Sequence, residues 1–201
     1  MRDDMSTKLV HLTKIVAKIE NEGDERWQKY YSPRKVLEQI LNDRCLIAND
    51  GFILGGEPNS SVCFSEAPIS KLLLDVGQEG TKYMPFGVLL DKRTVFELGG
   101  RPVIYQPYAS YGELPATHSY RHVTFHYPGI DFTWEREWRN HGNVELTPEI
   151  TTVIVPNRDE KNKVIRSVGD DWHYLVLDDL GVSLSNRDWT DIPKPRRLEP
   201  L

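Results

Sequence analysis

Four short apolar runs constrain this chain more than any other feature. They are Leu9 to Thr13 (LVHLT), Ser61 to Ser65 (SVCFS), Phe86 to Leu90 (FGVLL) and Ile150 to Val155 (ITTVIV). Each is too short for a buried helix, and β-branched or aromatic residues recur in them, so they read as strands. Arg101 to Tyr105, Arg121 to Tyr127 and Tyr174 to Leu177 add shorter strand-like pieces. Against these, Ser32-Pro33 opens a helix with Ser as cap and Pro at the first position. Val36, Leu37, Ile40 and Leu41 then repeat at helical spacing, predicting a helix over 33–43. Ala67 to Val76 reads as a shorter helix, and Lys92 to Leu98 runs into Gly99-Gly100, a helix stop or tight turn. Residues 14–31 read as a helical turn followed by a polar, aromatic loop, and 49–59 and 106–119 as loops rich in turn residues. The expected class is α+β: one domain over 1–192, a mixed or antiparallel central sheet, helices mainly in the N-terminal half, and a flexible tail over 193–201.

Composition narrows the function classes. A chain of 201 residues can bury a real core. The net charge of −5 advertises no global affinity for nucleic acid, although a local strip of Arg121, Arg136 and Arg139 could follow a phosphate backbone. No run of 18 apolar residues predicts a membrane span, and Met1-Arg2-Asp3-Asp4-Met5 does not read as a signal peptide. Two cysteines in different contexts, Cys45 and Cys63, point to free thiols in a reducing cytoplasm. The six histidines lack convincing metal spacing, so no metal is expected, and Gly51 to Gly56 lacks the Lys-Ser/Thr ending of a phosphate loop.

The segment Trp134-Glu135-Arg136-Glu137-Trp138-Arg139 is the strongest chemical signal. If it is extended, Glu135 and Glu137 share a face, flanked by two indoles and beside two arginines. Such crowding can raise a carboxylate pKa and hold a polar ligand against flat walls. The plainer alternative is a salt-bridged edge strand. His11-x-Thr13 and His122-x-Thr124 form a second constellation. On two strands they could make a two-histidine phosphoesterase, one His as base and one as acid, acting on a cyclic nucleotide. Cys63 reads as a small buried hydrophobe, and Ser65 or Glu66 as a helix cap.

In order along the chain, VHLTKI, the helix SPRKVLEQILNDRCLIAN, SVCFSEAPI and EREWRNHGNVELTPEITTVIVP resemble an ADP-ribosyltransferase fold. The likeness is to DarT-like bacterial DNA ADP-ribosyltransferases and tRNA 2′-phosphotransferases. The set CFSEAP, GGRPVIY and DFTWEREWR is also similar to a group of bacterial proteins associated with phage resistance of the abortive-infection type. The resemblance implies NAD as substrate, with Glu137 as catalytic acid, Glu135 as its helper and His11 contacting the nucleotide. It implies a cofactor site of His11, Thr13, Tyr31, Ser65, Arg121 and Trp138, and a nucleic-acid or protein acceptor in phage defence or toxin biology. A protein partner such as an antitoxin or phage protein fits the same context. One departure stands out. The family's arginine between first helix and second strand has no counterpart, since residues 45–64 contain none, leaving Arg44, Arg101 or Arg121 to substitute. A binding module that kept the fold without chemistry is the third expectation.

Overall fold

The computed structural model describes residues 6–51, 59–69, 83–181 and 189–198. The strands are β1 (Lys8–Leu12), β2 (Val16–Glu22), β3 (Glu25–Tyr31), β4 (Cys45–Leu46), β5 (Asn49–Gly51), β6 (Asn59–Ser65) and β7 (Gly87–Asp91). They continue with β8 (Arg101–Pro102), β9 (Ile104–Gln106), β10 (His122–Thr124), β11 (Glu137–His141) and β12 (Val144–Glu145). The last are β13 (Thr151–Val155), β14 (His173–Val176) and β15 (Arg196–Leu198). The helices are α1 (Pro33–Asp43), α2 (Lys92–Glu97) and α3 (Arg158–Val168).

The main sheet runs β14-β13-β7-β1-β6-β11-β8, with β5 added on β6. Its pairings are antiparallel except β13 with β14. That parallel step is bridged by α3, as a crossover requires. The class is therefore α+β with a mostly antiparallel sheet. Among the described residues, two of the three helices lie in the N-terminal half, and the third, α3, lies in the C-terminal half and equals α1 in length. Its start was legible: Asn157 caps it by accepting from the Glu160 amide at 2.9 Å, and Asn-x-x-Glu is a cap pattern.

Strand alternation splits the apolar residues between two faces. Leu9, Phe64, Val88, Leu90, Trp138 and Val153 form one face and pack under Leu37 and Leu41 of α1 and Val164 of α3. Val10, Leu12 and Ile154 point the other way and pack with Ala67, Leu177 and Trp134. The helix over 33–43 forms as predicted, capped by Ser32 and closed by Arg44 at φ 50°. Its buried Glu38 is neutralised by Arg34 and Lys35, and Arg34 also reaches Glu160 on α3 at 3.2 Å. This shared cation ties the two helices together.

Four local readings change. Residues 14–31 form the β2–β3 hairpin, turning at Gly23-Asp24 with Gly23 at φ 63°. A Gly-led two-residue turn between polar strands explains it, and cross-strand pairs of Lys29 with Glu20 and Glu22 replace apolar periodicity. Arg101 to Tyr105 is broken at Val103, with β8 joining the main sheet and β9 pairing in parallel with β10. The strand expected over 121–127 is only β10, after which His126 bridges Ile130. Within the expected tail, β15 pairs with β3, fixed by Arg197–Glu25 at 3.0 Å. Most of the helix expected over 67–76 lies outside the described residues.

The tightest approach in the sheet is at Gly87 opposite Leu12. A Cβ there would lie 2.1 Å from the His11 carbonyl oxygen and 2.9 Å from the Leu12 Cα. Both obstacles are backbone, so no side chain can move aside. Gly87→Ala should lower unfolding free energy by about 3 kcal/mol or more, the upper range for single substitutions. Urea unfolding measures this, and an unchanged midpoint would show that β1 and β7 separate freely.

Candidate functional site

The site begins where β1 leaves β6. The two strands meet at one pair, Val10 with Ser65. Beyond it, the His11 imidazole takes over, its Nδ1 lying 2.8 Å from the Cys63 carbonyl. A carbonyl only accepts, so Nδ1 carries the proton and Nε2 is left as the acceptor of the neutral ring. Burial lowers the His11 pKa, against the raising effect of that hydrogen bond, and keeps the ring neutral. Phe64 meets it edge-on, with centroids 6.0 Å apart.

On the other side of β6 lies β11, with Glu137 opposite Ser65 and Arg139 opposite Cys63. Glu137 and Arg139 sit on the sheet face of Cys63 and Ser65 because strand neighbours alternate. Arg139 Nε donates to Glu137 Oε1 at 2.7 Å, while its Nη1 donates to the carbonyls of Tyr120 and His122, each at 3.0 Å. Burial works against the Arg139 charge, but Glu137 and the Cys63 sulfur outweigh it and raise its pKa. The backbone amide of Glu137 donates to the Tyr105 hydroxyl at 3.0 Å, which donates to Phe132 at 3.1 Å. Burial first, with the Glu137 and Glu135 charges, pushes the Tyr105 phenol up to about 12.

The two glutamates are not neighbours on one extended strand. Thr133–Glu135 is a 3-10 turn, Arg136 is left-handed at φ 47°, and β11 starts only at Glu137. The turn still delivers Glu135 to the same place. The Ser65 hydroxyl donates to the Glu135 carbonyl at 2.5 Å, and the Tyr83 hydroxyl donates to Glu135 Oε2 at 3.1 Å. Burial raises the Glu135 pKa, and the Glu137 charge adds to the rise, against lowering by Tyr83, Lys14 and Arg139. Lys14 stands 4.8 Å over the Tyr83 ring and also acts electrostatically on His11.

Of the expected site residues, the fold gathers Glu135, Glu137 and Ser65, beside Cys63, which was expected to be buried; His11 pairs with Val88 and stands on the Leu9–Phe64 face, opposite Glu137. Thr13 is buried and its hydroxyl is committed to the carbonyls of Pro33 and Phe86, at 3.0 and 3.1 Å. Ser65 holds the Glu135 turn rather than facing open space. Trp138 lies on the opposite face from Glu137, its indole donating to Glu66 at 2.9 Å under Lys92, so it does not wall the carboxylates. Trp134 packs in the second core cluster. Tyr31 belongs to the β2–β3 hairpin, where its hydroxyl donates to Glu20. Arg121 donates to the Pro102 carbonyl at 2.9 Å. Arg101 is held by the Phe96 and Gly100 carbonyls, and Arg44 faces Trp172 and Asp171. Tyr83, Tyr105 and Lys14 were missed, because a lone Tyr or Lys carries no pattern in sequence.

For two-histidine chemistry the geometry is adverse. His122 is 2% exposed and lies edge-on to Tyr111 at 5.2 Å, while Arg139 is held to its carbonyl. Thr13 has no free hydroxyl. Among the described residues, no group of three or more His, Cys, Asp or Glu could hold a metal, and no helix is long and apolar enough to cross a membrane. No known family model, curated protein or solved structure matches this chain.

Cys63 reports on the site. The residue touches solvent, yet crowding around the sulfur and then the Glu137 charge push its thiol up to about 12. In a Cys45→Ser background, Cys63 should therefore react slowly with iodoacetamide at pH 7.5, and Glu137→Gln should accelerate it several-fold. Equal rates in the two proteins would mean that Glu137 does not face the sulfur.

Glu135 gives a pH prediction. Its folded pKa is raised, so its contribution to stability is full below the unfolded value near 4.5. That contribution is lost as pH rises through the folded pKa. Glu135→Gln should therefore raise the melting temperature at pH 7.5, with the gain vanishing toward pH 4. A lower Tm for the variant at pH 7.5 would contradict burial of an ionisable carboxyl there.

Proposed function

We propose that this protein is an ADP-ribosyltransferase-like enzyme that cleaves the nicotinamide–ribose bond of NAD and passes ADP-ribose to a nucleic-acid or protein acceptor. The observation that carries this reading is the pairing of β6 with β11. It sets Ser65 opposite Glu137, with Glu135 delivered beside them. Two carboxylates in unlike surroundings support a division of labour. Glu137, ion-paired to Arg139, stabilises the cationic sugar that forms as the bond breaks. Glu135, crowded and less readily ionised, is suited to accepting a proton from the acceptor. In place of the absent arginine, this reading assigns Lys14 to the NAD pyrophosphate. A role in phage defence or as a toxin in the cytoplasm, with a protein partner, belongs to the same proposal.

The test is direct. NAD should raise the melting temperature, and purified protein should release nicotinamide. Glu137→Gln should slow that release by about 100-fold or more while leaving NAD-induced stabilisation in place. Absence of any NAD effect at millimolar concentration would reject the reading in favour of a binding module.

A further inference from the structure

We infer that Tyr83 is a positioning residue for the proposed reaction: its hydroxyl holds the Glu135 carboxylate in the site beside Glu137. The inference rests on the proposed function for its catalytic meaning, but its geometry stands without NAD. Tyr83 enters the site on a segment laced to the end of β1. The Met84 amide donates to the Thr13 carbonyl at 3.2 Å, and the Thr13 amide donates to Phe86 at 2.7 Å. The Thr13 hydroxyl secures the same corner. The ring of Tyr83 packs in the second core cluster beside Ala67 and Trp134. The phenol is thus carried on fixed backbone and a packed ring, and its hydroxyl reaches Glu135 Oε2 at 3.1 Å.

Glu135 needs such a holder. Its backbone is tied by Ser65 to its carbonyl and by its own amide donating to Phe132 at 3.0 Å. These bonds fix the turn and leave the carboxylate to rotate. The charge of Glu137 pushes it away, while Lys14 and Arg139 attract it from a distance. The Tyr83 hydroxyl supplies the short directional contact that opposes the repulsion. Burial and the two carboxylate charges keep the phenol itself protonated, so it serves as a donor throughout the working pH range.

The experiment compares wild type with Tyr83→Phe, which keeps the ring and removes the oxygen. Carboxyl-carbon NMR, with the Glu135 signal assigned by its loss in Glu135→Gln, follows titration without NAD. Removing the donor should move the Glu135 midpoint upward by about one pH unit, since the hydrogen bond favours the ionised form. The acidic limb of nicotinamide release should move up by the same amount, with KM for NAD unchanged. Site-specific 3-fluorotyrosine, a stronger donor, should move both downward. An unchanged Glu135 titration in Tyr83→Phe would overturn the inference. Should wild type release no nicotinamide, the proposed function falls while the NMR titration still decides whether Tyr83 holds Glu135.

Discussion

Everything around the site depends on the single pair at which β1 and β6 meet, Val10 with Ser65. Had the ladder continued, backbone groups would have satisfied one another and His11 would be an ordinary strand residue. Because it stops, the Cys63 carbonyl needs another donor, and the His11 imidazole supplies it. The same Ser65 then turns its hydroxyl to the Glu135 carbonyl, and its β11 partner is Glu137. One strand end thereby sets the positions of a histidine and two acids.

The surrounding structure is arranged to keep that junction rigid. β7 presses against β1 so closely that only glycine fits at position 87. Thr13 closes the end of β1 by giving its hydroxyl to two backbone carbonyls. Arg139 joins the sheet to the segment carrying Tyr120 and His122, so the guanidinium that neutralises Glu137 cannot swing out. These contacts leave the site with a charged pair, a crowded acid and an accessible but inert thiol, each set by its surroundings rather than by its residue type.

Much of the sheet was legible because its central strands are buried on both faces and read as continuous apolar runs. The β2–β3 hairpin was not, because its strands are held by Lys–Glu and Tyr–Glu pairs that leave no apolar alternation. Glu135 and Glu137 do come together, but not by strand alternation. Alternation assumes an extended segment, whereas Arg136 in the left-handed region ends a 3-10 turn and reorients the chain. Trp138 directly follows Glu137 on β11, so alternation itself turns it to the opposite face and into the core.

The sequence by itself determined the central strands and the first helix with its Ser-Pro start, and it marked the Glu135–Glu137 pair as a candidate. These follow from local chemistry: apolar period, capping and residue type. The tertiary structure alone decided that Glu135 and Glu137 converge, that Thr13 and Ser65 serve backbone carbonyls, and that Tyr83 reaches Glu135. These depend on which strands become neighbours and where a ladder stops. Contacts between residues 52 to 70 positions apart leave no trace in local pattern.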